Sequence, residues 1–260
     1  MNNKTLFKKI DIFFLAILPI AAALIALTFR TNYLITTLLF FGLGSIWFSY
    51  RTPNRILRTS IFSVLLAFMG TFVLDYILVN DNAWWSPTIF SSRLLGILPY
   101  EDLIWGILQA YFVIILYEHF LEKGKHQLVG RNFKYFIYFL IGLISAFFLA
   151  FFFKPTLLQI PYAYFWIGNI FFLLPSIAFL IRFPKIFPKF IKLGSYFFLL
   201  HIIFEFTALE LGNWTFPGAN YISLVNIAGF SIPIEEIVVW WLLFIISILS
   251  WYEFFDDDQQ

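Results

Sequence analysis

An all-α polytopic membrane protein with about eight transmembrane helices is the fold class that three features of this sequence predict. The chain of 260 residues is 61% hydrophobic and only 12% charged, with a mean hydropathy of +0.85, whereas soluble domains are nearer half apolar and a quarter charged. Apolar runs of bilayer length recur along it. Its Lys and Arg residues fall almost wholly between alternate runs, as the positive-inside rule requires of a multi-span chain.

The predicted spans lie near 10–29, 33–50, 58–79, 99–121, 133–153, 160–181, 190–211 and 233–255. The first follows Lys4, Lys8 and Lys9 as a signal peptide would, but its apolar stretch from Ile12 to Thr28 exceeds the roughly 7–15 residues of such signals. It reads as a retained helix. With eight spans, 14 of the 17 basic residues share one side: Lys4, Lys8, Lys9, Arg51, Arg55, Arg58, Lys123, Lys125, Arg131, Lys134, Arg182, Lys185, Lys189 and Lys192. Arg30, Arg93 and Lys154 fall on the other. The expected placement is a cell (inner) membrane with both termini cytoplasmic. The net charge of +2 comes from short clusters without a basic groove, so nucleic acid is not an expected partner. The absence of cysteine excludes disulfides, thiol catalysis and cysteine metal sites.

An internal repeat organises the chain. Asp75 is followed by Trp84 and Pro87 in DYILVNDNAWWSP, and Glu205 by Trp214 and Pro217 at the same offsets in EFTALELGNWTFP. Each copy proceeds to Pro-x-acid-acid (Pro99-Tyr100-Glu101-Asp102 and Pro233-Ile234-Glu235-Glu236) and ends a further span at Tyr117-Glu118-His119-Phe120 or Tyr252-Glu253-Phe254-Phe255. The copies occupy helices two to four and six to eight. The division is 1–30 for an extra N-terminal helix, 31–123 for the first module, 124–158 for a linker helix and 159–260 for the second module. Three helices per copy plus one spacer make the repeats parallel, related by a pseudo-twofold axis along the membrane normal. Both acid motifs then lie near the non-cytoplasmic face.

Proline followed by acids is, on local grounds alone, an ordinary helix start, with the carboxylates favoured by the helix dipole. Adjacent acids point in different directions, so only one of each pair is expected to face the interior. The wider setting favours a site. Asp75 and Glu205 lie within apolar spans, where ionisable groups are costly and usually face a functional interior. His201 precedes Glu205 by four residues, on the same helix face. Six carboxyl groups are thus expected beneath two Trp-bearing loops. A carboxylic acid that keeps its proton at neutral pH can act as a general acid. Indole faces can steady a carbocation, and Trp84, Trp105, Trp214 and Trp240 are the candidates.

At these residues the sequence resembles the integral-membrane lycopene cyclases of bacteria, archaea and fungi, whose two three-helix modules occur as separate subunits or fused. The resemblance runs from about Tyr33 to Asp258 and rests on the acid-x8-Trp element, the Pro-x-Glu-Glu helix start, the Tyr-Glu-x-Phe helix end and the closing YEFFDDD. It implies acid-initiated, redox-neutral closure of the linear ends of lycopene, most simply to β rings. It also implies Glu235 and Glu236 as the principal acids, with Glu101 and Asp102 as their counterparts. Asp102 departs from the usual second glutamate, as does the extra first helix. The alignment is ambiguous by one residue: anchored on proline, Glu101 matches Glu235, and anchored on Trp105 and Trp240 it matches Glu236. No cofactor or metal is expected. The expected partners are lycopene or a related linear carotenoid and the lipid bilayer, with homo-oligomerisation left open.

The competing readings are a cyclase of a longer (C50) carotenoid and a small-solute transporter with parallel three-helix repeats, whose site should lie nearer the midplane. A metallo-hydrolase has little support, since the only histidines are His119, His126 and His201 and none pair at helical spacing. A retinal photoreceptor lacks a lysine in the last helix.

Overall fold

The computed structural model describes residues 3–122 and 132–255. Lys123, Lys125, His126, Arg131, the 123/124 module boundary and Asp256–Asp258 lie outside the described residues. Eight helices are long and apolar enough to cross a membrane: α1 Phe7–Phe29, α2 Tyr33–Arg51, α3 Pro53–Asn80, α4 Tyr100–Glu122, α5 Phe133–Phe153, α6 Ala163–Arg182, α7 Pro184–Glu210 and α8 Glu236–Phe255. The expected eight spans are therefore present. α3 and α7 start earlier than their apolar runs because Pro53 and Pro184 each open a 3₁₀ turn, a position where proline's missing N–H costs nothing.

The two copies are joined by contacts exchanged between equivalent residues. Trp85 and Thr215 stand in matching places, each one residue beyond its copy's matched Trp84 or Trp214. The Trp85 N–H donates to the Thr215 carbonyl at 2.9 Å and the Thr215 N–H donates back to the Trp85 carbonyl at 2.8 Å. Only a two-fold relation places two equivalent residues in mutual register in this way. At the opposite end Tyr117 donates to Glu253, while Tyr252 donates to Glu118. Between these ties the equivalent indoles of Trp105 and Trp240 meet edge to face, 5.6 Å apart. The pseudo-twofold axis thus runs between α4 and α8. α4 is buried on every side from Gln109 to Glu118, as a central helix must be.

π-helical turns account for the shifts of alignment between the copies. The separation is 131 residues from Pro53 to Pro184 but 130 from Asp75 to Glu205. α3 absorbs its extra residue in a π segment, Phe68–Leu74, where α7 is uninterrupted α-helix over Phe187–Glu210. The separation is 134 from Pro99 to Pro233 and 135 from Trp105 to Trp240; here α8 carries the extra residue in a π segment, Glu236–Leu243. The one-residue ambiguity of the sequence is therefore real. The proline anchor holds before the π turn and the tryptophan anchor after it. Such inserted turns cluster at functional sites.

α3 and α7 end alike. Asn82 and Gly212 both take the left-handed conformation (φ 55° and 67°), and Ala83 and Asn213 donate their N–H groups to the carbonyls of Leu78 and Ala208 at 2.9 and 2.8 Å, closing Schellman caps. The second loop is four residues longer and carries a hairpin, β1 Leu224–Ile227 and β2 Phe230–Pro233. Ala228 and Gly229, both with positive φ, make the two-residue turn that suits strand twist. α1 and α5 take corresponding places: α1 lies against α7, and α5 against α3, each on the middle helix of the opposite module. α1 is tied down by Asp11, buried within it, whose carboxylate accepts from Arg51 at 2.9 and 3.0 Å, Trp47 at 3.0 Å and His119 at 3.1 Å.

Candidate functional site

All six sequence-predicted carboxyl groups are buried, but they divide into two sets. Glu101 and Glu235 turn toward their own loops. Glu101 accepts from the Thr88 hydroxyl at 2.8 Å and the Ile89 N–H at 2.7 Å, and Glu235 accepts from the Ile222 N–H at 2.6 Å. Both fix a loop across a helix start.

Asp102 and Glu236, the next residues, face the interior. Glu236 receives a hydrogen bond from Tyr164, and Asp102 lies near Tyr33, whose buried hydroxyl makes no hydrogen bond, with Ser86 Oγ at 3.5 Å. Tyr33 and Tyr164 open α2 and α6 and are 131 residues apart, so these are equivalent pairs. Asp75 feels the charges of both Asp102 and Glu236, so three buried carboxyl groups drawn from both modules are electrostatically linked. Their loop cover is sealed by Tyr221, which donates to the Ala83 carbonyl at 2.8 Å and accepts from the Gly218 N–H at 3.0 Å.

The matching acids of α3 and α7 differ in one methylene, with visible consequences. Glu205 reaches the Trp214 indole N–H at 2.8 Å. The shorter Asp75 does not reach Trp84, and Asp75 Oδ2 and Trp84 Nε1 are both buried without a partner. His201, one turn below Glu205, is held from both sides. Its Nδ1–H donates to the Trp240 carbonyl at 3.0 Å, so Nε2 accepts from the Gln109 amide and the ring is the neutral tautomer.

Two clefts flank the Trp105–Trp240 wall, each with a cavity of about 40 Å³. The first runs along α3 from Asp75 to Leu66, between α4, α6 and α8. The second is bounded by Glu205, His201, Gln109, Glu236 and Trp214. At that volume each has room for about three waters; a longer guest requires the aromatic walls to part. Around them the indole nitrogens of Trp84, Trp105 and Trp241 and the Gln109 carbonyl oxygen are buried without protein partners. Among the described residues no group of three or more His, Asp or Glu side chains is placed to hold a metal ion.

Tyr33, Tyr164 and Gln109 are site residues that motif reading passed over. The recurrence of tyrosine 131 residues apart, and an amide within an apolar span, were the signals available for them. Tyr221 carries a prediction of its own. Burial above all, reinforced by the charges of Glu235 and Asp81 and opposed by the Gly218 N–H, pushes its phenol from 10.0 up to about 12. A raised folded-state value favours the protonated folded form, so its contribution is intact below pH 10 and is lost as pH rises toward 12. The stability gap between wild type and Tyr221→Phe should be constant to pH 10 and close above it, as read by thermal unfolding.

Fold and site together define a polytopic all-α membrane protein of two pseudo-symmetric modules, with a carboxyl cluster enclosed between them under a two-loop lid. No protein-family model, no curated protein and no solved structure matches the chain.

Proposed function

We propose that the protein is a lycopene cyclase, an intramolecular lyase that closes the linear ends of lycopene or a related carotenoid into six-membered rings. The observation that carries this reading is the burial of Asp75, Asp102 and Glu236, contributed by both modules, in an apolar interior walled by indole rings. A carboxylic acid of this trio adds its proton to the terminal C=C, leaving a tertiary cation. The neighbouring C=C attacks that cation, forming the ring C–C bond. A carboxylate of the trio then takes a ring proton as the new C=C forms, so one proton enters and one leaves. The faces of Trp105, Trp240 and Phe244, with Trp240 and Phe244 4.6 Å apart, supply π density for the cation. Asp75 opens on the first cleft and Glu236 on the second.

The charge asymmetry supports an inner-membrane placement with cytoplasmic termini and the trio toward the outer face, where a bilayer-dissolved polyene enters sideways. Expression in a lycopene-accumulating bacterial host, followed by pigment chromatography, tests the reading. A cyclised product is expected. Pigment that stays wholly linear overturns it, and retention times separate β from ε rings and C40 from C50 products. Solute uptake that tracks the protein with pigment unchanged would transfer the assignment to a transporter.

A further inference from the structure

The two clefts are related by the pseudo-twofold axis, yet they are not built alike. In the first, α3 and α4 present Ala67, Gly70, Thr71, Gly106 and Ala110. Counting from the paired acids, Gly70 and Thr71 correspond to Leu200 and His201 of α7. Ala67 corresponds to Phe197 or Phe198, depending on which side of the π turn is used. Gly106 and Ala110, counted from the paired tryptophans, correspond to Trp241 and Ile245. At every one of these positions the first module carries the smaller side chain, although at Gly106 the space is taken by Thr71. The second cleft is further occupied by polar ties, His201 to Gln109 and Trp240, and Glu205 to Trp214.

The first cleft is instead a slender apolar slot. From Asp75 to Leu66 it follows nine residues of α3, about 13 Å at the helical rise. Its sides are formed by Trp105, Trp240 and Phe244 near the acid and by Ile248 and Trp251 farther down. Met69, an unbranched side chain that repacks readily, lines it as well. A side chain built at Gly70 would meet nothing within 4 Å, so that position faces open space. Asp75, with an unpartnered oxygen, stands at the slot's polar end.

We propose that this first cleft alone takes the hydrocarbon: one end of a linear unsaturated chain lies along α3 with its terminal carbons under Asp75, and the second cleft, equal in volume but crossed by polar ties, takes none. The inference rests on the cyclase reading for the nature of the guest. It makes Asp75 the acid that touches substrate, and it limits the protein to one chain end at a time, so a doubly cyclised product requires release and re-entry.

The test uses the full chain in lipid nanodiscs with lycopene as the probe. Binding is followed by quenching of tryptophan fluorescence, and conversion is assayed in parallel. One lycopene per chain is expected. Gly70→Phe should weaken binding by at least about tenfold and Gly70→Leu by less. Gly142→Phe, on the exposed face of α5 with equally open space, should bind as wild type does. All variants are first checked for a monodisperse, helical species. Two lycopenes per chain, or unaltered binding in Gly70→Phe, overturns the slot. Cyclised product from both wild type and Gly70→Phe leaves the cyclase reading standing while the slot falls. Binding that is lost in Gly70→Phe, with pigment left linear by wild type, keeps the slot and removes the cyclase reading. No binding by wild type removes both.

Discussion

Asp75→Asn is expected to lower ring closure by about two to four orders of magnitude, the usual contribution of a general acid. Asp75 is the carboxyl that bounds the slot, and its buried Oδ2 has no hydrogen-bond partner for a substitution to remove. The sign of the stability change separates this from simple misfolding. An unpaired buried polar group is a net cost, so Asp75→Leu should raise stability by about 1 kcal/mol while also abolishing conversion. A residue of structural value would do the opposite. Glu101→Gln and Glu235→Gln, by contrast, retain an amide oxygen able to accept from Ile89 and Ile222, and should keep activity within about threefold on that account. Glu236→Gln and Asp102→Asn remove the other two carboxyls proposed to exchange protons with the substrate, and a loss of at least about tenfold is expected for each. Pigment chromatography gives the activities, and thermal unfolding in micelles gives the stabilities. Full activity in Asp75→Asn would exclude it as the donor.

Asp11→Ala should have the largest effect on stability, at about 3 kcal/mol. Asp11 is 1% exposed, and the Arg51 side chain bonded to it is 17% exposed, so truncation strands a mostly buried cation. It also takes an acceptor from Trp47 and from His119, whose other nitrogen meets Thr52 at 2.9 Å. These partners lie on α2, α4 and the turn into α3, so one carboxylate fastens α1 to the first module. The expected result is a lower unfolding midpoint for Asp11→Ala, with Asp11→Asn between it and wild type because the amide still accepts one bond. Equal midpoints would show that α1 is held by its apolar face alone.

Span number and order were legible in the sequence because twenty apolar residues in a row have few other destinations. The duplication was legible for a related reason: Trp, Pro and paired acids are rare enough in apolar helices for their order to register. What escaped reading was anything decided by a single residue of helical register. No composition signals that Phe68–Leu74 and Glu236–Leu243 wind as π turns, and those turns shift the match between the copies by one residue. Tyr33 and Tyr164 repeat faithfully, but a tyrosine at a membrane boundary is commonplace, so their pairing with Asp102 and Glu236 becomes visible only in three dimensions. The partnership of α1 with α5 was hidden too, because the two resemble each other only in greasiness and in where they pack.

The mutual bonds between Trp85 and Thr215, and the crossed Tyr–Glu pairs at the far end, are what a self-pairing ancestor would display: one gene product, two identical halves, each contact made twice. Identical halves are bound to evolve in step, since any change is felt on both sides at once. Fusion lifts that constraint. Halves joined in one chain can diverge, and the small side chains of one cleft against the large ones of the other show that these two differ.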